Sequence, residues 1–278
     1  MTLFFLFFIS SAWSNSTYKI MTFNTMCDVC KGSDFLNFNG RLDQITAVIK
    51  KHQPDIIALQ EVRTTSQIKK ILQGQPQYSS YSSDLYLFSY ADPTIIYNHN
   101  KLEVLEKGQA WLGPNENKFS LGWKFSLPRQ FLWIKFKDPN NQFVFSTSHF
   151  DNRLENLVGS ALLVNRFFKK IKTPYIFAAD TNITLDMLEY KILTKDVFIN
   201  AFDVKETFEV LGEYKNDREI CYTKKGKKFP ECRVDHVLLS KKHKWDVHKF
   251  TIDATKSLEK QFPSDHRAVI TEISLNKK

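Results

Sequence analysis

Glycine and proline are scarce, 9 of each in 278 residues. That leaves no room for a collagen-like repeat or for a low-complexity linker of any length. Long apolar runs are missing as well. Leu3 to Ile9 is unbroken but far short of the ~20 apolar residues of a membrane-spanning helix, and no later segment comes closer. Acidic residues are in the minority, 30 against 39 Lys plus Arg, and the resulting +9 favours polyanions without choosing among nucleic acid, anionic lipid and phosphorylated substrates. What is present is ordinary globular material: 42% hydrophobic, 25% charged, and 24 Phe to fill a large core.

The first residues read as an export signal. The run Leu3 to Ile9 is followed by Ser10, Ser11 and Ala12, and Ala12-Trp13-Ser14 fits a small-x-small cleavage site, with Asn15 as the mature start. The segment ahead of the run carries no Lys or Arg. Residues 1–14 are therefore expected to be a signal peptide and 15–278 a single catalytic domain, secreted or periplasmic. Two disulfides are expected in that setting, Cys221–Cys232 across a Lys/Gly-rich hairpin tip and Cys27–Cys30 within a C-x-x-C, with crossed pairing left open.

Periodicity places strands at Tyr18–Asn24, Asp55–Gln60, Gln130–Phe136, Gln142–Ser148, Tyr175–Ala179, Arg233–Leu239 and Val269–Ser274. Helices are expected at Arg41–His52 and from Leu154 to Phe168, each with an apolar stripe. Strand runs and single helices alternate without strict βαβ order. This predicts an α/β fold, a four-layered sandwich of two mixed β-sheets flanked by helices. Polar residues gather at the strand ends: Asn24, Gln60-Glu61, His149 with Asp151, Asp180 with Asn182, Asp235, and Asp265-His266. Each alone is more often a solvated cap or a satisfied histidine. Their joint occurrence after or inside apolar strands points to one catalytic rim.

Six segments carry a resemblance: Met21-Thr-Phe-Asn24, Asp55-Ile-Ile-Ala-Leu-Gln-Glu61, Ser148-His-Phe-Asp151, Ala179-Asp-Thr-Asn182, Arg233-Val-Asp-His236 and Ser264-Asp-His266. Their order resembles that of the endonuclease/exonuclease/phosphatase superfamily, over nearly all of the chain. Gly108-Gln-Ala-Trp-Leu112, Gly122-Trp123 and Leu127-Pro128-Arg129 resemble a mostly bacterial branch of it. Three departures stand out. Ala179 and Thr181 replace the usual Gly and Phe, Ser160-Ala161 lacks the arginine that usually precedes it, and Asn98 follows Tyr97 in place of a basic residue.

The residue chemistry favours metal-assisted attack of water on a phosphate ester, because the sequence offers no nucleophile elbow and no cysteine placed to attack. Glu61 is the expected Mg²⁺ ligand, with Asn24 and Asp265 as helpers and Mn²⁺ able to substitute. The resemblance implies that Asp180 orients or deprotonates the water and that Asn182 donates to a phosphate oxygen. By the same likeness His149 and His266 contact the phosphate, and Asp235 fixes His266 rather than pairing with Arg233. Arg129, Tyr97 and Asp151 are expected on the substrate. A nucleic acid is the favoured substrate, on the +9 charge and the clusters Lys169-Lys170, Lys224-Lys225, Lys227-Lys228 and Lys241 to Lys244. A lipid or small phosphate ester is the alternative, with Trp111, Phe119, Trp123 and Phe125 as candidate lipid contacts. A catalytically dead binding module is disfavoured because every core position is filled. No stable protein partner is implied, and a monomer is expected.

Overall fold

The computed structural model describes residues 16–30, 35–82, 92–205, 207–212, 233–256 and 261–276. The expected signal segment, the Cys221–Cys232 hairpin and the lysines at 224–228 lie outside them. Two mixed sheets face each other. The first has seven strands in the order β10 (Glu209–Leu211), β12 (Trp245–Asp253), β13 (Ala268–Leu275), β1 (Thr17–Asn24), β2 (Ile56–Gln60), β4 (Thr94–Asn98), β3 (Tyr78–Ser82). The second has six, in the order β5 (Glu103–Trp111), β6 (Gln130–Lys137), β7 (Gln142–Ser148), β8 (Tyr175–Asp180), β11 (Asp235–Ser240), β9 (Phe198–Asn200). Pairs β1–β2 and β7–β8 are parallel; their neighbours β1–β13, β6–β7 and β8–β11 are antiparallel.

Side-chain alternation sorts the central strands into layers. Ile20, Ile56 and Ala58 face inward against Leu132, Ile134, Phe143, Phe145, Ile176 and Ala178 of the other sheet. The next residues along the first sheet, Met21, Ile57 and Leu59, face outward and meet Ile45, Val48 and Ile49 of α1 (Phe38–His52) and Ile68 of α2 (Thr65–Ile71). On the second sheet Phe131, Val144 and Phe177 face outward, onto Leu157, Ala161, Val164 and Phe168 of α3 (Leu154–Lys169). Strands buried on both faces need continuous apolar runs, which is why these were the strands visible in the sequence. The sandwich is therefore four-layered, helix–sheet–sheet–helix, with the short helix α4 (Leu188–Thr194) packed on α3 and β9 at the second sheet, and α5 (Ala201–Lys205) packed against β12 of the first sheet and β9 and β11 of the second.

Several boundaries differ from expectation. Helix α1 starts at Phe38, ahead of Arg41, because the Asn37 side chain caps it by accepting from Gly40 N at 3.0 Å. Strand β11 starts at Asp235, so Arg233 and Val234 precede it. Strands β3, β4, β5, β9, β10 and β12 were not anticipated. Strand β5 is an edge strand whose residues are exposed or half-buried, and β12 opens with alternating polar residues; half-solvated strands carry no continuous apolar signal.

Candidate active site

The inward-facing parity that builds the inter-sheet core also builds its polar end. Ile20, Thr22 and Asn24 share one face of β1, as do Ile56, Ala58 and Gln60 on β2. Ile176, Ala178 and Asp180 share a face of β8, and Asp235 lies opposite Asp180 in register. His149 extends β7 and bridges to Asp180. Apolar side chains thus fill the middle of the layer, and amides, carboxylates and imidazoles close one end. The Gln60 amide ties the two sheets there, donating to Thr22 Oγ1 at 3.3 Å and Thr147 Oγ1 at 3.2 Å.

Asp180 is the centre of this end. Its Oδ2 accepts from Asn24 Nδ2 at 2.9 Å and lies 3.5 Å from His149 Nε2 and 3.8 Å from His266 Nε2. Its Oδ1 accepts from the Asn182 backbone N–H at 3.0 Å. Burial alone raises the carboxyl's pKa, but His266, His149 and the two amide donors outweigh it, so the group is held below its ordinary value and stays anionic. Each histidine turns its other nitrogen to a second carboxylate. His266 Nδ1 meets Asp235 Oδ2 at 2.8 Å, and His149 Nδ1 meets Asp92 Oδ2 at 2.8 Å. Against the cost of burial, Asp235 and Asp180 raise His266 well above its ordinary pKa; Asp92 and Asp180 likewise overcome burial and Arg129 to raise His149. Burial pushes Asp235 up against the pull of His266.

Glu61 stands at the mouth. Its Oε1 accepts from Asn24 Nδ2 at 3.0 Å and lies 3.8 Å from His149 Nε2, while Oε2 accepts from Cys27 N at 2.6 Å. Glu61 (φ 63°) and Asn182 (φ 52°) both occupy the left-handed region, a strain of about 1–3 kcal/mol each that clusters at functional sites. Glu61 directly follows β2, and Asn182 lies two residues past the end of β8.

Not every expected residue joins the cluster. Tyr97 sits three residues along β4 from the Thr94 end that borders the site, pairs with Ile56, and packs half-buried against the core, its ring 5.1 Å from that of Phe136. Asp151 spends its carboxylate on the entry to α3, accepting from Arg153 N at 2.9 Å and Asn156 Nδ2 at 3.0 Å, with Ser126 beside it. Asp265 accepts from Ser264 Oγ at 3.3 Å, facing Arg41 and His266. Asn182 directs an amide hydrogen at Phe150 O, 2.9 Å away. Arg129 does reach the cluster, where its Nη1 shares Asp92 Oδ2 with His149 at 3.2 Å.

Two residues escaped the sequence reading. Asp92 holds His149 through Oδ2 and accepts from the Glu61 backbone N–H through Oδ1 at 3.0 Å. The available signal was an Asp directly ahead of the apolar run Thr94–Tyr97. Arg41 is buried in α1 and donates to four carbonyls: Leu36 and Pro263 at 2.7 Å, Met26 at 2.8 Å and Thr25 at 2.5 Å. It thereby fastens the loop after β1 to the loop before His266. An arginine on the apolar face of a helix was the only clue.

The donor set fits a hard divalent cation. Glu61 Oε1 and Asp180 Oδ2, two anionic oxygens, converge on the one Asn24 amide nitrogen. Asn24 itself turns Oδ1 to Met26 N at 2.9 Å, so as placed its nitrogen, and not its oxygen, faces the carboxylates. Among the described residues two groupings have metal-like proximity, Cys27/Cys30/Glu61 and Asp180/Asp235/His266. The cysteines of the first form a disulfide and offer no thiolate, and the second is the hydrogen-bonded histidine chain already described.

The described basic clusters lie elsewhere. Strand β11 runs from Asp235 at the site to Ser240, roughly 17 Å away at ~3.3 Å per residue, and only then come Lys241 to Lys244. Lys241 Nζ donates to Lys195 O at 2.9 Å and Lys242 Nζ to Ile171 O. Lys169, at the far end of α3, pairs with Asp196 at 3.0 Å. Of the aromatic set, Trp111 stacks on Phe119 at 5.0 Å and Trp123 covers Gly159, whereas Phe125 is 76% exposed.

Known proteins share this fold. Among solved structures, an endonuclease/exonuclease/phosphatase from Bacteroides vulgatus is similar at 25% identity and TM-score 0.77, covering 94% of this chain and 100% of that one. A mannosyl-6-phosphatase from Bacteroides thetaiotaomicron follows at 23% and 0.75, covering 94% and 100%. The D. rerio TDP2 structure complexed with a single-strand DNA product aligns at 17% and 0.71, again over 94% and 100%. No curated protein matches in sequence. The family model for the Endonuclease/Exonuclease/phosphatase family matches residues 21–266, and the chain belongs to that family of metal-dependent phosphoric ester hydrolases.

Proposed function

We propose that the chain is an exported Mg²⁺-dependent phosphoesterase, acting as a monomer, that hydrolyses its ester by direct attack of water. The observation that carries the mechanism is the approach of both imidazoles to one carboxylate oxygen, Asp180 Oδ2. Export rests on the run Leu3 to Ile9 and the small residues behind it.

A hard cation held by Glu61, when bound, supplies positive charge to the phosphate and its leaving oxygen. The chain's own residues do the rest. Anionic Asp180 accepts a hydrogen bond from the attacking water and orients it. His266, charged through Asp235, and His149, charged through Asp92, place two N–H donors where negative charge grows on the phosphate oxygens. Either can protonate the departing oxygen. Arg129 steadies Asp92 from behind His149.

For the substrate, we favour a small or chain-terminal phosphate ester. Lys241 and Lys242, past the end of β11 remote from Asp235, donate to carbonyls, and Lys169 pairs with Asp196, so these three do not line a track for a long backbone beside the site. Internal cleavage of DNA or RNA is the second reading, supported by the net charge of +9. A panel of mannose 6-phosphate, a bis-aryl phosphodiester, single-stranded and duplex oligonucleotides, and sphingomyelin vesicles, each with Mg²⁺ and with chelator, tests both. Preferred turnover of the small esters supports the first reading, and preferred internal cleavage supports the second. Choline-phosphate release would move the assignment to lipid. Equal turnover in chelator would sink the metal-assisted mechanism.

A further inference from the structure

The C-x-x-C turn has a place in the site that a merely structural crosslink would not need. Cys27 and Cys30 are joined, with Cα atoms 5.1 Å apart, in a turn closed by Cys30 N donating to Cys27 O at 3.3 Å. The Cys27 backbone N–H donates to Glu61 Oε2 at 2.6 Å. The turn is tied from two further sides. Asp28 accepts from Arg63 Nη1 at 3.0 Å and Gln67 Nε2 at 3.1 Å, while Arg41 grips the Thr25 and Met26 carbonyls just upstream. Glu61 is equally fixed behind, its own N–H on Asp92. A charge-assisted bond of this kind, aimed at one oxygen of a flexible glutamate, selects a single rotamer and leaves Oε1 turned towards Asn24 and His149.

We propose that the Cys27–Cys30 disulfide is a positioning crosslink for Glu61: it holds the Cys27 N–H in place and so pre-orders the carboxylate for the divalent cation. The inference rests on the reading of Glu61 as the metal ligand. Opening the crosslink leaves the fold and the acid–histidine cluster in place and acts through metal affinity, since the ordering of Glu61 must then be supplied at binding. Cys30 is exposed and Cys27 half-buried, so a soluble dithiol reaches the bond. Reduction transfers two electrons and two protons from the dithiol, which closes to its own cyclic disulfide, and leaves two free thiols.

The test is Mn²⁺ titration of the full oxidised chain, with free ion read by electron paramagnetic resonance. Cys27→Ser/Cys30→Ser and the dithiol-treated wild type should each bind Mn²⁺ about tenfold more weakly, the lower range for loss of a group that orients a metal ligand. Turnover lost at low Mn²⁺ should return as Mn²⁺ is raised, a concentration dependence that general loosening of the fold would not produce. In a Glu61→Gln background the double Ser substitution should weaken binding no further. Unchanged affinity in both the Ser variant and the reduced wild type, with Glu61→Gln still weakening it, would overturn the crosslink and leave Glu61 as the ligand. Affinity indifferent to Glu61→Gln would overturn the ligand reading and the crosslink with it.

Discussion

The polar end of the inter-sheet layer and the seam between α1 and β12 both pair histidine with aspartate, and at almost the same separation. His149–Asp92 and His266–Asp235 are each 2.8 Å; His52–Asp253 is 2.7 Å. The pairs differ in what the second ring nitrogen meets. At the site both Nε2 atoms turn to Asp180 Oδ2, at 3.5 and 3.8 Å. At the seam Nε2 is the nitrogen already bonded to Asp253, which also takes Lys51 at 3.0 Å. A histidine–carboxylate pair is thus an orienting device in either region. It becomes chemistry only where the oriented ring presents its other edge to a third group.

The largest expected effect breaks that third group. Asp180→Asn keeps the size of the side chain and its anchorage at the end of β8 but removes the anion that both rings face. Single-turnover hydrolysis should fall about 10²–10⁴-fold, with substrate affinity nearly unchanged. Near-normal turnover would show that the convergence of the two rings is structural and no more.

Breaking the orienting partners comes next. Asp235→Asn removes the main anion that raises His266, so the imidazolium pKa falls towards its ordinary value or below, given the burial. If the charged ring is the working form, the alkaline limb of the pH–rate profile moves to lower pH and turnover at neutral pH drops about tenfold. Asp92→Asn should act in the same direction through His149, and no less steeply, because Arg129, which opposes the charged ring, is then left beside it without its carboxylate partner. An unshifted alkaline limb in both variants would remove His266 and His149 from the protonated role.

The same exchange at the seam should leave chemistry alone and cost stability. Burial raises the Asp253 pKa, but His52, Thr255 and Lys51 overcome it and hold the carboxyl well below its ordinary value. A depressed carboxyl contributes stability above its unfolded pKa of ~3.9 and loses it as pH falls through that region. Asp253→Asn should therefore lower stability by about 1–3 kcal/mol at pH 7. The gap to wild type should shrink as pH falls below about 4, where the carboxyl of the unfolded chain takes up a proton, and close only as pH reaches the depressed value of the folded carboxyl. Denaturant midpoints across that pH range measure it. Turnover lost in step with Asp235→Asn would erase the distinction between the two regions.

These regions were not equally legible in the sequence. Asn24, Glu61, Asp180 and Asp235 follow or open strands buried on both faces, whose apolar runs announce where the chain turns polar. Asp92 and Asp253 border β4 and β12, which went unread, and a carboxylate beside an unread strand has no frame to place it. Tyr97 shows the reverse failure. The likeness placed it near the site, whereas its register opposite Ile56 sets it half-buried against the core, three residues from the Thr94 end, a fact set by strand pairing and invisible in one strand alone. Arg41 was hidden because its function is to satisfy backbone carbonyls of loops more than 200 residues apart, Met26 and Pro263 among them.

The smallest expected effect sharpens the comparison from outside, at the end of β11 remote from Asp235. Lys241→Glu/Lys242→Glu reverses two exposed charges in the cluster that first suggested a nucleic-acid substrate. Each lysine caps a carbonyl, on Lys195 and Ile171, and exposed contacts of that kind contribute roughly 0–1 kcal/mol, so the melting temperature should barely move. Turnover of a small ester should not change at all, because no bond links these residues to the Asp180 cluster. The informative measurement is the salt dependence of single-strand DNA affinity. Every lysine that neutralises a phosphate adds about 0.7 to the slope of log K against log salt. A backbone tracking over this face would lose more than one unit of slope in the double variant. An unchanged slope, together with unchanged ester hydrolysis, leaves the lysines as surface charge and confines the chemistry to the end of the layer where two imidazoles share one carboxylate. A fall in slope with hydrolysis intact would instead make the far end a docking track for a chain whose terminus reaches the site.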